Sequence, residues 1–178
     1  GIGWGIAIGI ILTGLLAICV DKFGLAPLRK KNSVAVASLI TTIGISYIIQ
    51  NLLMALMGSE RKSFPNIFGS GVLHLGSVTI SVRQIYLFAI ALTLLVILTC
   101  VVQKTKIGLA MRAVQQNTRA AHMMGIDVNF IISFTFFLGG VSAAIAGSLM
   151  AGYYELVYPT MGFMVGLKAF ASAVLGGI

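Results

Sequence analysis

A chain of 178 residues that is 58% hydrophobic and only 9% charged, with a mean hydropathy of +1.04, has too little polar surface for an ordinary water-soluble domain. Its net charge of +8 is divided among short loops, with no continuous basic stripe and no interleaved aromatics, which argues against a nucleic-acid partner. The two cysteines and two histidines are scattered, so neither a disulfide framework nor a metal site is expected, and no cofactor is called for.

In lipid the backbone must satisfy its own hydrogen bonds, and a helix needs about 20 apolar residues to cross a hydrocarbon core of roughly 30 Å. Apolar runs at Gly3–Val20, Val34–Met57, Ile85–Val102 and Phe130–Gly152 therefore predict four spans, with a shorter apolar or re-entrant stretch from Met161 to Ile178. The expected fold class is all-α, a polytopic membrane helix bundle forming one domain over residues 1–178. The chain opens at Gly1 inside an apolar run and stops at Ile178 without a polar tail, so it reads as a fragment of a longer polypeptide. The start has no basic region followed by a cleavage site, so the first run reads as a span and not as a signal peptide.

The first run carries small residues at Gly1, Gly5, Gly9 and Thr13, one helical row for close packing. After it, Lys22, Arg29, Lys30 and Lys31 read as a basic loop, with Asp21 at the membrane edge. Cys19, and Cys100 in the third run, read as small buried apolar residues.

The second run is distinguished by Ser38, Thr42, Ser46 and Gln50, four apart on one slowly drifting face. Such a stripe either bonds to a neighbouring helix or faces a watery or ligand-filled route. Beyond it, residues 58–83 form a loop with glycines at 69, 71 and 76, and Ser77–Val82 alternates polar with β-branched residues, which predicts a short hairpin. That hairpin either receives a soluble partner or caps the bundle.

Residues 103–129 hold the most polar connection. Leu109–Gln116 has helical composition, Asn117 and Thr118 are cap-type residues that end one short helix and start another at Arg119, and Gly125 suits the left-handed position past a helix end. Arg112 and Arg119 offer forked donors to a partner, and Met111, Met123 and Met124 offer adaptable apolar contact. The plainer alternative is a solvated basic loop that only enforces topology. In the fourth run Gly139, Ala143, Gly147 and Ala151 form a small-residue row, and Gly140, Ala144, Ser148 and Gly152 form the next one.

Eight Lys and Arg in the loops after the first and third runs, against three after the second (Arg61, Lys62 and Arg83), place the former loops in the cytoplasm. Residues 58–83 and Tyr153–Pro159 are then extracytoplasmic. Of the ionisable residues only Glu155 and Lys168 qualify for a buried role, and Lys168 either faces a pathway or snorkels to an interface. The lack of an Asp, Glu or His relay at membrane depth argues against an ion-coupled carrier, and no nucleophile with a base argues for an intramembrane enzyme. A passive channel and a structural scaffold remain compatible with these features.

From Thr105 to Ile178 the chain reads TKIGLAMRAVQQNTRAAHMMGIDV, FFLGGVSAAIAGSLMAG and YPTMGFMVGLKAFASAVLGGI. These stretches resemble the membrane permease of branched-chain amino acid ABC importers, the LivH type, with the urea and short-amide permeases as near relatives. The resemblance is strongest in this second half. Ala120, Ala121 and Gly125 match the EAA motif of ABC importers, while Arg119 stands where that motif is acidic and its later Ile and Leu-Pro are absent.

The resemblance implies a multi-pass subunit of the bacterial inner (plasma) membrane, working by alternating access. Its expected partners are cytoplasmic ATP-binding subunits, a second permease subunit, an extracytoplasmic substrate-binding protein and membrane lipid. It also implies that the 103–129 loop inserts into a cleft on the ATPase. The chain has no Gly-Lys dipeptide and hence no phosphate-cradling loop, so ATP hydrolysis is expected in a partner and not here.

Overall fold

The computed structural model describes residues 2–30, 35–65, 69, 71–75 and 78–176. Gly1, Lys31, Val34, Gly76, Ser77 and Ile178, which figure in the expectations above, lie outside the described residues. Helix α1 (Ile2–Val20) runs into a π-helical turn (Asp21–Leu25) and on into α2 (Ala26–Lys30). Then come α3 (Ala35–Met57), β1 (Lys62–Ser63), β2 (Val72–Leu75), β3 (Val78–Ser81) and α4 (Val82–Lys104), followed by α5 (Lys106–Gln116), α6 (Thr118–Met123), α7 (Val128–Tyr154), β4 (Leu156–Val157) and α8 (Met161–Leu175).

Four of these helices are long and apolar enough to cross a membrane: Gly3–Arg29, Ala37–Met57, Val82–Lys104 and Val128–Tyr154. At 15 residues, α8 is roughly 22 Å long and falls short of a bilayer core of roughly 30 Å. The class is all-α, as the apolar runs predict, with short strands confined to one end.

The basic segment after the first run is a correction: Asp21–Lys30 is not a loop but a continuation of the first helix. Gly24 and Pro27 are poor helix formers, yet both lie within this continuous helical stretch. Proline lacks an N–H and its ring crowds the carbonyl four residues back. The preceding turn is widened, with the Ala26 N–H bonded to the Asp21 carbonyl five residues earlier.

The principal packing is between α1 and α7. They run antiparallel: Gly5 and Gly9 share a cavity with Ala144 and Ser148, whereas Lys22 and Ala26 share another with Asn129 and Phe130. The row of small residues that makes this contact is a second correction. Gly139, Ala143 and Gly147 are exposed, and a Cβ on either glycine would meet open space. It is Gly140 that lies on α1, where a Cβ would come within 2.6 Å of the Ala17 Cβ, and Ala151 is buried at the far end of the helix. Opposite Gly140, a Cβ on Gly14 would meet the Phe137 ring at 2.6 Å.

Among the described residues the buried apolar side chains are few: Leu25, Ala121, Ile131 and Ala151. Large apolar residues such as Trp4, Ile11, Phe23, Phe88 and Leu95 are exposed, which suits a chain solvated by lipid or by further helices. Cys19 and Cys100 are free and exposed on this outer surface, not buried as small core residues.

One end of the bundle gathers the short strands. β1 pairs antiparallel with β4, Lys62 opposite Val157 and Ser63 opposite Leu156. β2 pairs with β3 as the expected hairpin, with Leu75 opposite Val78. Arg83 forms an ion pair with Glu155 at 2.9 Å, and the Arg61 guanidinium lies 5.6 Å from the centre of the Tyr158 ring. The 58–83 connection and the turn after α7 therefore close on each other at the same end.

Candidate functional site

At the opposite end, α4 and α7 are joined by a compact arm of two short helices. Thr105 leaves α4 in an extended conformation and caps α5, its Oγ1 accepting from the Gly108 N–H at 3.0 Å. Gly108 is buried at this corner, and a Cβ there would collide with the carbonyl oxygens of Val101 and Val102. Arg112 closes the corner from outside, its Nη2 donating to the Gln103 carbonyl at 3.3 Å.

Asn117 then ends α5 and opens α6, its Oδ1 accepting from the N–H groups of Arg119 and Ala120, both at 3.1 Å. Gly125 follows at φ +83°, where a side chain would be strained. Asp127 caps α7 by accepting from Asn129 and Phe130 at 3.1 and 3.2 Å. The cap residues thus act where the sequence predicts, with α6 starting at Thr118, one residue ahead of expectation.

Exposure sorts the arm's residues. Ala121 is 2% exposed and anchors α6, whereas Arg112, Arg119, Ala120 and Gly125 are exposed, and Met123 and Met124 stand out at 88% and 81%. The arm therefore presents a basic, methionine-flanked outer surface, held by an alanine inside and by caps at each turn. Such a surface can receive a partner without itself carrying chemistry.

The residues proposed for a pathway are less concentrated. Ser38 and Gln50 are half-buried, while Thr42, Ser46 and Lys168 are exposed. The Thr42 hydroxyl donates to the Ser38 carbonyl, and Thr41 to that of Ala37, each at 2.8 Å, so these hydroxyls are satisfied within their own helix. Tyr47 of α3 and Phe163 of α8 bring their rings to 5.6 Å, but Lys168 does not join the stripe in a common cavity among the described residues.

The expectation that only Glu155 and Lys168 qualify for a buried role is overturned by Asp21. This residue is 0% exposed. Its Oδ2 accepts from Ser133 Oγ of α7 at 2.7 Å, and its Oδ1 lies 2.9 Å from Arg29 Nη1. Glu155 is instead a half-exposed residue in the left-handed conformation at the end of α7. The sequence signal for Asp21 was an acid at the end of a long apolar run with Arg29 eight residues on, which a π turn brings together.

A groove of about 690 Å³ opens beside this cluster, lined among others by Lys22, Arg29, Asp127, Phe130, Phe134 and Phe137. A second opening of about 420 Å³ lies at the other end of the α1–α7 seam, lined by Gly5, Gly9, Thr13, Ala144 and Ser148. Among the described residues no three His, Cys, Asp or Glu side chains converge as metal ligands.

Membrane-length helices packed through small residues, with a polar arm at one end, define a polytopic membrane helix bundle. The chain matches along residues 1–178 the family model described as the permease component of a branched-chain amino acid transport system, and it belongs to that family. It is 34% identical to the high-affinity branched-chain amino acid transport system permease protein BraD of Pseudomonas aeruginosa, over 97% of this chain and 57% of that one. It is 30% identical to the corresponding LivH protein of Escherichia coli K12, over 99% and 59%. A more distant relative is the galactose/methyl galactoside import permease protein MglC of Escherichia coli K12, 31% identical over 80% of this chain and 44% of that one. The chain thus spans little more than half the length of the branched-chain permeases it resembles. No solved structure matches it.

Proposed function

We propose that this chain is the membrane-spanning part of a permease subunit in an ABC importer of branched-chain amino acids, seated in the bacterial inner membrane. ATP is bound and hydrolysed in separate cytoplasmic subunits, solute is delivered by an extracytoplasmic binding protein, and a second permease subunit completes the pathway. The observation that carries this reading is the arm at 103–129 in a chain of the branched-chain permease family. Its two helices are capped at Thr105 and Asn117, and Ala121 is buried on the inner side of α6 while Arg119, Ala120 and Met123 are exposed.

A surface so held moves as one piece with the helices it joins. When the ATPase subunits close on ATP, their displacement is carried through the arm into α4 and α7, and the bundle reopens on the other side of the membrane. The force is a difference in the affinity of the ATPases for two bundle states, because a partner that binds both equally shifts neither. The stripe Ser38, Thr42, Ser46 and Gln50 on α3 is assigned to the solute path, as neutral polar groups suited to a zwitterion.

The test is to reconstitute the full-length permease with its ATPases and binding protein in proteoliposomes. Leucine, isoleucine, valine, urea and galactose are then compared as stimulators of ATP hydrolysis and as labelled cargo. Stimulation and uptake with a branched-chain amino acid are expected. Preference for urea or galactose would reassign the solute, and uptake without any ATPase would end the ABC reading.

A further inference from the structure

The cluster around Asp21 is built in a way that stability alone does not explain. A carboxylate taken wholly out of water is costly unless its hydrogen bonds are completed. Here completion is partial. Oδ2 has the Ser133 hydroxyl, but among the described residues Oδ1 makes its ion pair with Arg29 without an aligned hydrogen bond, and the buried Arg29 Nε has no acceptor. A half-satisfied buried pair is a weak stabiliser, yet each partner depends on the other, because removing one leaves an uncompensated charge.

The groups that meet belong to three helices. Asp21 begins the π turn of the first helix, and Ser133 lies in the second turn of α7, the helix that follows the arm directly. Gly24, in the same turn, takes the Ile45 side chain of α3 so closely that a Cβ would collide with it. Ile45 sits beside Ser46 of the polar stripe. The π turn therefore touches the arm-bearing helix on one side and the stripe-bearing helix on the other. Irregular turns of this kind inside otherwise regular helices recur at functional sites.

We propose that Asp21 is a positioning residue of the transport cycle: its carboxylate, held between Ser133 and Arg29, is the joint through which movement of α7 reaches the π turn and, through Gly24 and Ile45, α3, the helix that carries the polar stripe. This inference rests on the transport function proposed above. Movement of α7 in response to the arm pulls on the Ser133 bond and carries the π turn with it. Without the charge, Arg29 has no reason to stay at the joint, and α7 moves without α3.

The experiment uses the full-length permease reconstituted with its ATPases and binding protein, and reads solute moved per ATP hydrolysed. Four forms are compared: wild type, Asp21→Asn, Ser133→Ala, and the double variant Asp21→Asn with Ser133→Asp, which moves the carboxylate across the contact onto α7. Asp21→Asn is expected to lower the ratio at least tenfold and Ser133→Ala several-fold, with ATP hydrolysis per assembled complex within twofold of wild type. The double variant is expected to recover to within threefold.

A residue that merely supports the fold would lower the amount of complex and leave the ratio unchanged. An unchanged ratio in Asp21→Asn and Ser133→Ala overturns the proposal. Should Asp21→Asn fail to assemble, an unchanged ratio in Ser133→Ala alone has the same force. A wild-type complex that moves no solute sinks the transport reading itself, whereas a working wild type with unaffected variants sinks only the role of Asp21.

Discussion

Gly140 of α7 lies directly on the backbone of Thr13 in α1: a Cβ at this glycine would stand 3.0 Å from the Thr13 carbonyl oxygen and 2.6 Å from the Ala17 Cβ. The nearer neighbour is a short rigid side chain and the other is backbone, so neither can move aside without shifting a helix. Gly140→Val is therefore expected to separate α1 from α7 at a cost of about 1–3 kcal/mol. Gly139→Ala, one residue away in open space, is expected to leave stability unchanged. Thermal unfolding in detergent, followed by the loss of helical circular dichroism, distinguishes the two. Equal losses would mean that the Gly139 row packs as well.

Gly108 is the tightest point of the arm. Any side chain there meets the carbonyl oxygens of Val101 and Val102 at the end of α4, so Gly108→Ala is expected to lever α5 away from the corner. Trypsin should then cleave several-fold faster after Lys104, Lys106 and Arg112. A digestion rate equal to wild type would show that the corner adapts.

The parts of this architecture that sequence reasoning reaches are those set by one-dimensional rules. Lipid demands long uninterrupted apolar runs, so the four membrane-length helices stand out, and helix ends demand special residues, so Asn117 and Gly125 mark the arm. Two features depend on three-dimensional arrangement and escape it. Gly139 and Gly140 head chemically similar rows, and a step of one residue rotates a helix face by roughly 100°, so composition does not say which row meets α1. Asp21 is hidden because Gly24 and Pro27 carry the marks of a loop, while the π turn that keeps them helical is visible only in the backbone.

Asn117 holds the first turn of α6 through two N–H groups. Replacing a capping Asn by Ala costs about 1 kcal/mol, which corresponds to roughly a fivefold rise in local opening. Asn117→Ala should therefore speed amide hydrogen exchange over Arg119–Met123 by about that factor and leave α7 unaffected. Exchange at the wild-type rate would mean that Ala121 alone secures the helix.

Glu155 plays two roles that substitution separates. Its side chain pairs with Arg83 while both remain partly exposed, at 42% and 27%, and such pairs contribute about 0–1 kcal/mol. Its backbone is left-handed at φ 54°, which costs a non-glycine residue roughly 1–2 kcal/mol. Glu155→Gly is expected to match or exceed wild-type thermal stability, and Glu155→Val to fall below it. If Glu155→Gly instead loses as much as Glu155→Val, the ion pair outweighs the backbone.

Arg119 and Gly125 test the arm as a transmission element. Arg119 is exposed on α6 and free to meet an acidic or carbonyl group of a partner, while Gly125 at φ +83° lets the chain turn from α6 towards α7. Arg119→Glu reverses the charge offered to the partner, and Gly125→Val places a β-branched residue where the left-handed conformation is a strained outlier. Both are expected to reduce uptake at least tenfold while the protein still reaches the membrane and its ATPases still hydrolyse ATP. Membrane abundance, hydrolysis and labelled uptake measured on the same preparation make the check. Near-normal uptake in both variants would take the arm out of the mechanism, and the motion driving the bundle would then have to enter through the first helix and its π turn.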